Sequence, residues 1–265
     1  MIESIGILTF IFGTILGSFL NVVAFRLHTG RGLQGRSMCD SCGYTLAWFD
    51  LVPVASFMAL GGRCRKCSTK LSYEYPTVEV ITGFIFASFM IKGLALYGLT
   101  YAGIVFFLIQ GLLWSLLVVI LIYDFKHMII PERIVWVFNS LAFLFLFVFF
   151  KNNEVVFALP KLWNLFAGPL LALPFLLIWF FSKGRAFGFG DVKLALGLGW
   201  MLGLSQSIGM FFLAFWIGGI VSVVLMLLKP RRFGRKTQVP FAPFLIVATF
   251  FVSLFSLSYT FFLGL

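Results

Sequence analysis

The sequence predicts an all-α polytopic membrane protein of about eight transmembrane helices, with one small soluble segment between the first and the second. Three observations carry this. Hydrophobic residues make up 61% of the 265-residue chain and charged residues only 11%, where soluble domains carry about 25% charged. Mean hydropathy is +1.06, and several apolar runs exceed the ~18 residues that mark a membrane-crossing helix. The basic residues also fall on one side of the bilayer once the runs are threaded through it. A β-barrel would show short alternating strands instead.

Residues 5–25 form the first span. Gly13, Gly17 and Ser18 in it are small enough to let another helix approach, and Asn21 offers an amide either for an interhelical hydrogen bond or for a role near a site. No basic stretch precedes this run and no small-residue cleavage site follows it, so it reads as a retained helix rather than a signal peptide. Residues 26–76 are the soluble segment, rich in arginine and holding all four cysteines. Residues 77–97 and 101–123 are the second and third spans, joined by a short turn, with Glu79 at the start of the second. Residues 124–132 form a polar link with Lys126, His127 and Pro131. Residues 133–150 are the fourth span, and 151–161 a loop with Asn152, Asn153 and Glu154. The fifth span, 162–181, contains Pro169 and Pro174 as expected kinks. A Gly-rich loop, 182–190, leads to a short Gly-interrupted sixth span, 191–204, and then a seventh, 205–228. A basic loop, 229–240, precedes the eighth, 241–265. As domains this gives a first transmembrane helix (1–26), a soluble segment (27–76) and a membrane core (77–265).

The net charge of +11 invites nucleic acid as a partner. Threading the chain with its N-terminus outside removes the need for one. All lysines and arginines except Lys92, Lys151 and Lys161 then fall on the cytoplasmic side or its membrane edge. These include Arg31, Lys229, Arg231, Arg232, Arg235 and Lys236. Topogenic bias explains this sorting.

Cys39 and Cys42 form one C-x-x-C pair and Cys64 and Cys67 another. Two such pairs at this separation are a zinc signature. Four thiolates fill a tetrahedral Zn²⁺ and leave no place for a reactive water, so the metal reads as structural, stapling a segment too small for its own core. Disulfides and redox dithiols are the competing readings, and a cytoplasmic location argues against the first. Gly43, Gly61 and Gly62 suit tight turns beside the pairs.

Only four aspartates occur: Asp40, Asp50, Asp124 and Asp191. The last two sit at the edges of apolar runs and on the same predicted side. A carboxylate near hydrocarbon is costly and points to function. Two that share a site cannot both ionise cheaply. The ionised one can take a proton from water while the protonated one polarises a carbonyl, which is aspartic-protease chemistry. Gly188 and Gly190, ahead of Asp191, let backbone approach a substrate. Lys193 is expected either to tune the pair or to snorkel toward the interface, with snorkelling favoured. Helix capping and pairing with Lys126 or Lys193 are the structural alternatives for the aspartates. Gly197-Leu198-Gly199-Trp200 lacks a βαβ setting and reads as close helix packing rather than a nucleotide loop.

At these residues the sequence resembles the type IV prepilin peptidases, membrane aspartyl proteases with a Gly-x-Gly-Asp motif, a group that also includes presenilin and the archaeal preflagellin peptidases. The resemblance extends over nearly the whole chain. It runs from Gly17-Ser18-Phe19-Leu20-Asn21-Val22-Val23 and Arg26-Leu27 through both cysteine pairs, Asp50-Leu51-Val52-Pro53-Val54 and Gly62-Arg63-Cys64-Arg65. It continues in Ser72-Tyr73-Glu74-Tyr75-Pro76, Val78-Glu79, Asp124, Ile130-Pro131 and Gly188-Phe189-Gly190-Asp191-Val192-Lys193-Leu194. Pro240-Phe241-Ala242-Pro243-Phe244 matches more weakly.

The resemblance implies that Asp124 and Asp191 are the catalytic pair, with Gly188, Gly190 and Lys193 in the active-site loop. It implies cleavage of the basic leader of prepilins and pseudopilins after a glycine, on the cytoplasmic face of the bacterial inner membrane. It also implies N-methylation of the new terminus with S-adenosylmethionine, because the cysteine segment matches that of bifunctional members. No methyl-donor site is legible in the sequence. Glu79 could pair with the leader's charges, with the new amine, or with a neighbouring Arg or Lys. His28, Glu132 and Ala242 depart from the residues usual at their positions and bear on substrate preference. A peptidase without methyl transfer and a zinc-stapled proton-coupled transporter are the alternatives. The transporter is disfavoured by the lack of an evident inverted repeat.

Overall fold

The computed structural model describes residues 2–27, 35–151, 153–185, 188–228 and 240–258. His28, Arg31, Asn152, Lys229, Arg231, Arg232, Arg235 and Lys236 therefore lie outside the described residues, as does the end of the predicted eighth span. The chain packs as two units, Met1–Ile122 and Tyr123–Leu265.

In the first unit, helix α1 (Ile2–Arg26) packs against α3 (Glu74–Tyr97). The contact is close because small residues line it. A methyl group added to Gly13 would lie 2.8 Å from the Gly83 Cα, and one on Gly83 would lie 2.8 Å from the Thr14 Cγ2. Small residues of this kind let helices associate in lipid, where no hydrophobic force draws them together. Asn21 makes an interhelical bond, its Nδ2 donating to the Tyr75 carbonyl at 3.3 Å. Between the two helices lie a 3-10 turn (Trp48–Leu51), the short helix α2 (Ala55–Ala59) and the two cysteine pairs. Helix α4 (Tyr101–His127) follows α3, and Trp114 on it stacks on Phe89 of α3 at 5.3 Å. Its last turn belongs to the second unit.

The second unit continues with α5 (Glu132–Phe145), the hairpin β1 (Val148–Lys151) and β2 (Glu154–Phe157), α6 (Leu162–Ser182), α7 (Phe189–Leu228) and α8 (Ala242–Phe255). Helix α7 is its centre and packs against α5, α6 and α8. Gly199 makes the α6 contact possible: a Cβ there would come within 2.5 Å of the Ala167 carbonyl oxygen and 2.6 Å of the Gly168 Cα. The Trp200 Nε1 donates to the Leu165 carbonyl at 3.0 Å. Close packing is thus the role of the Gly197–Trp200 stretch.

Five helices, α1, α3, α4, α6 and α7, are long and apolar enough to cross a membrane. The 40-residue α7 breaks at Gly203, whose φ of 73° and ψ of 167° interrupt the helix. This break stands where the sequence places the boundary between sixth and seventh spans. Counting α7 as two halves and adding the 14-residue α5 and the short apolar α8 gives eight long helical segments among the described residues. The fourth predicted span is the clearest departure. Its second half, expected to be helical to residue 150, turns into the hairpin, and the loop expected over 151–161 supplies the second strand. Asn153 lies in the left-handed region at φ 62°, as a hairpin turn requires. Helix α4 also outruns its predicted end at residue 123, because nothing in Phe125-Lys126-His127 stops it before Met128 (φ 53°) and Pro131 do. Pro169 and Pro174 lie inside α6.

Candidate functional site

Asp124 and Asp191 both belong to the second unit. Asp124 stands in the last turn of α4, 4% exposed, and its Oδ2 has no hydrogen-bond partner among the described residues. Asp191 stands in the first turn of α7, 7% exposed. Its Oδ2 accepts the Gly188 N–H at 3.1 Å while its own N–H donates to the Gly188 carbonyl at 3.1 Å. This is half of a capping box, favoured also by the positive end of the helix. The capping role is therefore real, and it leaves Oδ1 of Asp191 unused by the cap. Asp124 is close enough for its charge to act on the Asp191 carboxyl. Two buried carboxyl groups within electrostatic reach, one presented at a helix start and one at a helix end, titrate as a coupled pair.

The α5 side of the unit holds the start of α7 in place. A Cβ on Gly190 would lie 2.9 Å from the Ile130 Cβ, 3.2 Å from its Cδ1 and 3.3 Å from its Cγ1. Gly190 is thus required by packing, and it sits inside α7 rather than in unwound backbone. Around Gly188 a Cβ would meet only the Asp191 Oδ2, at 3.7 Å, and the Gly190 N, at 3.9 Å. Lys193 pairs with Glu132 and lies over the Phe189 ring at 5.2 Å and the Trp136 ring at 5.9 Å. This ion pair holds the Lys193 amine at the exposed start of α5. Its hydrogen bond and charge hold the Glu132 carboxyl below the usual range. Buried Asn139 adds a third tie, donating to the Lys193 carbonyl at 3.0 Å.

In the first unit the four cysteines converge. Their sulfurs all lie within 4.8 Å of one another, with Cys39 to Cys67 at 3.8 Å and Cys42 to Cys64 at 4.0 Å. A tetrahedral ion with metal–sulfur bonds of about 2.3 Å needs sulfurs about 3.8 Å apart. The four-cysteine cluster thus has the donor set and spacing to hold a metal ion. The two pairs are built alike. Cys39 N–H bonds the Tyr44 carbonyl and Gly43 N–H the Cys39 carbonyl, each at 2.9 Å. Cys64 N–H bonds the Thr69 carbonyl and Ser68 N–H the Cys64 carbonyl, again at 2.9 Å. Gly43 and Ser68 occupy the same left-handed position, φ 68° and 57°. The Cys67 Sγ lies 3.2 Å from the Thr69 hydroxyl. Asp50 braces this segment. It accepts the Ala47 N–H at 3.2 Å and pairs with Arg65 at 2.8 Å, and the guanidinium stacks over Phe49 at 4.9 Å.

The sequence named both aspartates, the two glycines, Lys193 and all four cysteines. It missed Ile130 and Asn139 as positioning groups, Glu132 as the partner of Lys193, and Asp50 as a brace. A polar Asn139 inside an apolar run was the one local signal among these. Glu79, expected opposite a charged group, instead accepts the Val54 N–H at 2.8 Å.

Comparison with known proteins agrees with this arrangement. Residues 11–92 match the Bacterial Peptidase A24 N-terminal domain, and residues 111–223 match the Type IV leader peptidase family. The chain is similar to the prepilin leader peptidase/N-methyltransferase of Myxococcus xanthus, 32% identical over 240 residues, 86% of this chain and 65% of that protein. It is similar to the protein of the same name in Vibrio cholerae, 30% identical over 218 residues, covering 78% and 81% of the two. The Bacillus subtilis counterpart is 29% identical over 236 residues, 88% of each. No solved structure matches the chain. With the N-terminal domain and the peptidase domain in register, and with a relative matched at 30% identity over four-fifths of its length, the chain belongs to the type IV leader peptidase family.

Proposed function

We propose that this protein removes the basic leader peptide of type IV prepilins and pseudopilins after a glycine, and then N-methylates the new terminus with S-adenosylmethionine. The observation that carries the peptidase reading is the buried pair Asp124 and Asp191, within electrostatic reach of each other in one unit. One carboxylate draws a proton from water, and the water attacks the scissile carbonyl. The other, protonated, donates to that carbonyl oxygen and stabilises the charge growing on it. On leaving-group departure the proton returns to the amine. The half-cap on Asp191 fixes its rotamer, and the Ile130, Glu132 and Asn139 contacts fix the helix that carries it. Gly188 beside the carboxyl leaves room for substrate backbone.

The protein is a multi-pass membrane protein, and the relatives are bacterial. In the orientation read from the charges, its N-terminus is outside and the aspartate pair faces the cytoplasm, where a basic leader meets an apolar mature segment at the membrane surface. The pair then faces a wet cavity near that surface. Cys39, Cys42, Cys64 and Cys67 would hold a structural Zn²⁺, which folds their segment and takes no part in cleavage. S-adenosylmethionine would supply an electrophilic methyl group. Partners are the prepilin substrates and the lipid bilayer, with no nucleic acid.

Asp124→Asn and Asp191→Asn, each assayed on a prepilin in detergent or lipid, test the peptidase reading. Cleavage by either variant at the wild-type rate refutes it. The mass of the wild-type product tests the second activity. An added methyl mass that requires S-adenosylmethionine supports it, and an unmodified terminus leaves a peptidase alone.

A further inference from the structure

The first unit holds a buried carboxylate that the cleavage chemistry does not use. Glu79 in α3 is 7% exposed. Its Oε2 accepts the Val54 N–H at 2.8 Å, and the Ser18 side chain of α1 interacts with its carboxyl. Both donors are neutral, and no basic side chain pairs with Glu79 among the described residues. A buried carboxylate without a cation is costly to keep. One turn along the same seam, Asn21 is 2% exposed, and its Oδ1 has no hydrogen-bond partner among the described residues. The register of α1 on α3 aligns the two groups. Gly17 abuts the Glu79 Cα, and Asn21 bonds the Tyr75 carbonyl, so the two residues stand one turn, about 6 Å, apart along the helix axis, and each side chain leans toward the other because side chains tilt toward their own helix's N-terminus. Val54 is held at φ 60°, ψ −50°, a conformation that β-branched residues avoid. Strained backbone at a functional site is a common use of such an outlier, and here it turns the N–H of the cysteine-bearing segment toward Glu79.

These groups ask for a small cation with several N–H donors. An α-ammonium supplies three. Resting on the bifunctional reading above, we propose that Glu79, with Ser18 and the Asn21 Oδ1, binds the newly exposed N-terminal ammonium of the cleaved chain and positions it for methylation. The ammonium gives one proton to the Glu79 carboxylate. The freed nitrogen pair forms the N–CH₃ bond as the C–S bond of the sulfonium donor breaks and the thioether leaves. Glu79 then passes its proton to water. The metal-stapled segment enters through Val54, which it holds against the carboxylate.

Glu79→Gln tests this, because it keeps an acceptor oxygen for Val54 and removes the charge. The full-length variant is assayed with S-adenosylmethionine on two substrates: an intact prepilin, and a synthetic peptide that already begins at the mature N-terminus. The expected result is unchanged cleavage and methylation of both products lowered roughly 100-fold, partly recovered by Glu79→Asp. Residual methylation by Glu79→Gln should climb with pH through the free amine's own range, about 7.7–8.0. Methylation of the peptide at the wild-type rate overturns the proposal. Joint loss of cleavage and methylation also overturns it, by making Glu79 structural. A raised KM for prepilin cleavage with peptide methylation intact overturns it in favour of the leader's basic side chains. A wild-type protein that cleaves but methylates neither substrate refutes the bifunctional reading itself, and the proposal with it.

Discussion

Gly190→Ala should disable cleavage without touching an ionisable group. The added Cβ would stand 2.9 Å from the Ile130 Cβ, where carbon atoms prefer about 3.5–4.0 Å. The obstacle is the root of a side chain, so no rotamer change of Ile130 relieves it. The start of α7 and the α4–α5 link must separate by roughly 0.6–1 Å to restore contact distance. Asp191 is the next residue and moves with the helix, while Asp124 stays on α4. A misplacement of about 1 Å can cost roughly 100-fold in rate, so cleavage should fall by between roughly 10- and 100-fold. Gly219→Ala, on the same helix, is the control. Its Cβ would meet nothing within 4 Å, and cleavage should stay close to wild type. Ile130→Gly in the Gly190→Ala background should restore activity, whereas Ile130→Ala, which keeps the Cβ, should not. The assay is the prepilin-to-pilin size shift over time, with purified protein in lipid. Wild-type cleavage by Gly190→Ala, or equal damage from Gly219→Ala, would refute the packing argument.

Further outcomes follow from other contacts. Asp124→Asn and Asp191→Asn should each lower cleavage by at least roughly 100-fold while leaving the product's methylation from a pre-cleaved peptide intact. Metal analysis of the purified protein should give about one Zn per chain, with Cys39→Ser or Cys64→Ser losing it, and a content far below this would rule out the four-thiolate site. Lys193→Met should reduce cleavage, and Glu132→Gln should reduce it similarly and non-additively, since both remove one tie on α7; independent effects in the double variant would argue against a shared role. Gly199→Ala should lower folded yield in membranes sharply, because its Cβ meets α6 backbone that cannot rotate away; normal yield and activity would show that the α6–α7 seam has slack.

Local patterns were legible in the sequence and long-range pairings were not. The cysteine cluster is announced by two three-residue steps, each of which folds into its own hydrogen-bonded turn. The break in α7 falls at Gly203, one residue before the predicted end of the sixth span. The aspartates stood out because so few acidic residues interrupt the runs. The tie between Lys193 and Glu132, by contrast, spans 61 positions, and the Gly190–Ile130 contact is of the same kind. Neither has a periodicity to betray it. The hairpin was hidden for another reason. The run from Leu141 to Phe150 is apolar throughout, and without polar punctuation a helix and a strand read the same.

That hairpin also acts as a ruler for the surrounding lipid. Two strands alone leave their outer N–H and C=O groups unpaired, which hydrocarbon does not tolerate. The strands Val148–Lys151 and Glu154–Phe157 must therefore lie in the headgroup layer. Glu132 marks the opposite boundary, at the other end of α5. The 14 residues between rise only about 21 Å, and any tilt shortens the crossing further, whereas an average hydrocarbon core is about 30 Å thick. A crossing by α5 would therefore pinch the bilayer beside the helix whose start carries Asp191, and hydrophobic mismatch of this kind favours lipids with shorter chains around the enzyme.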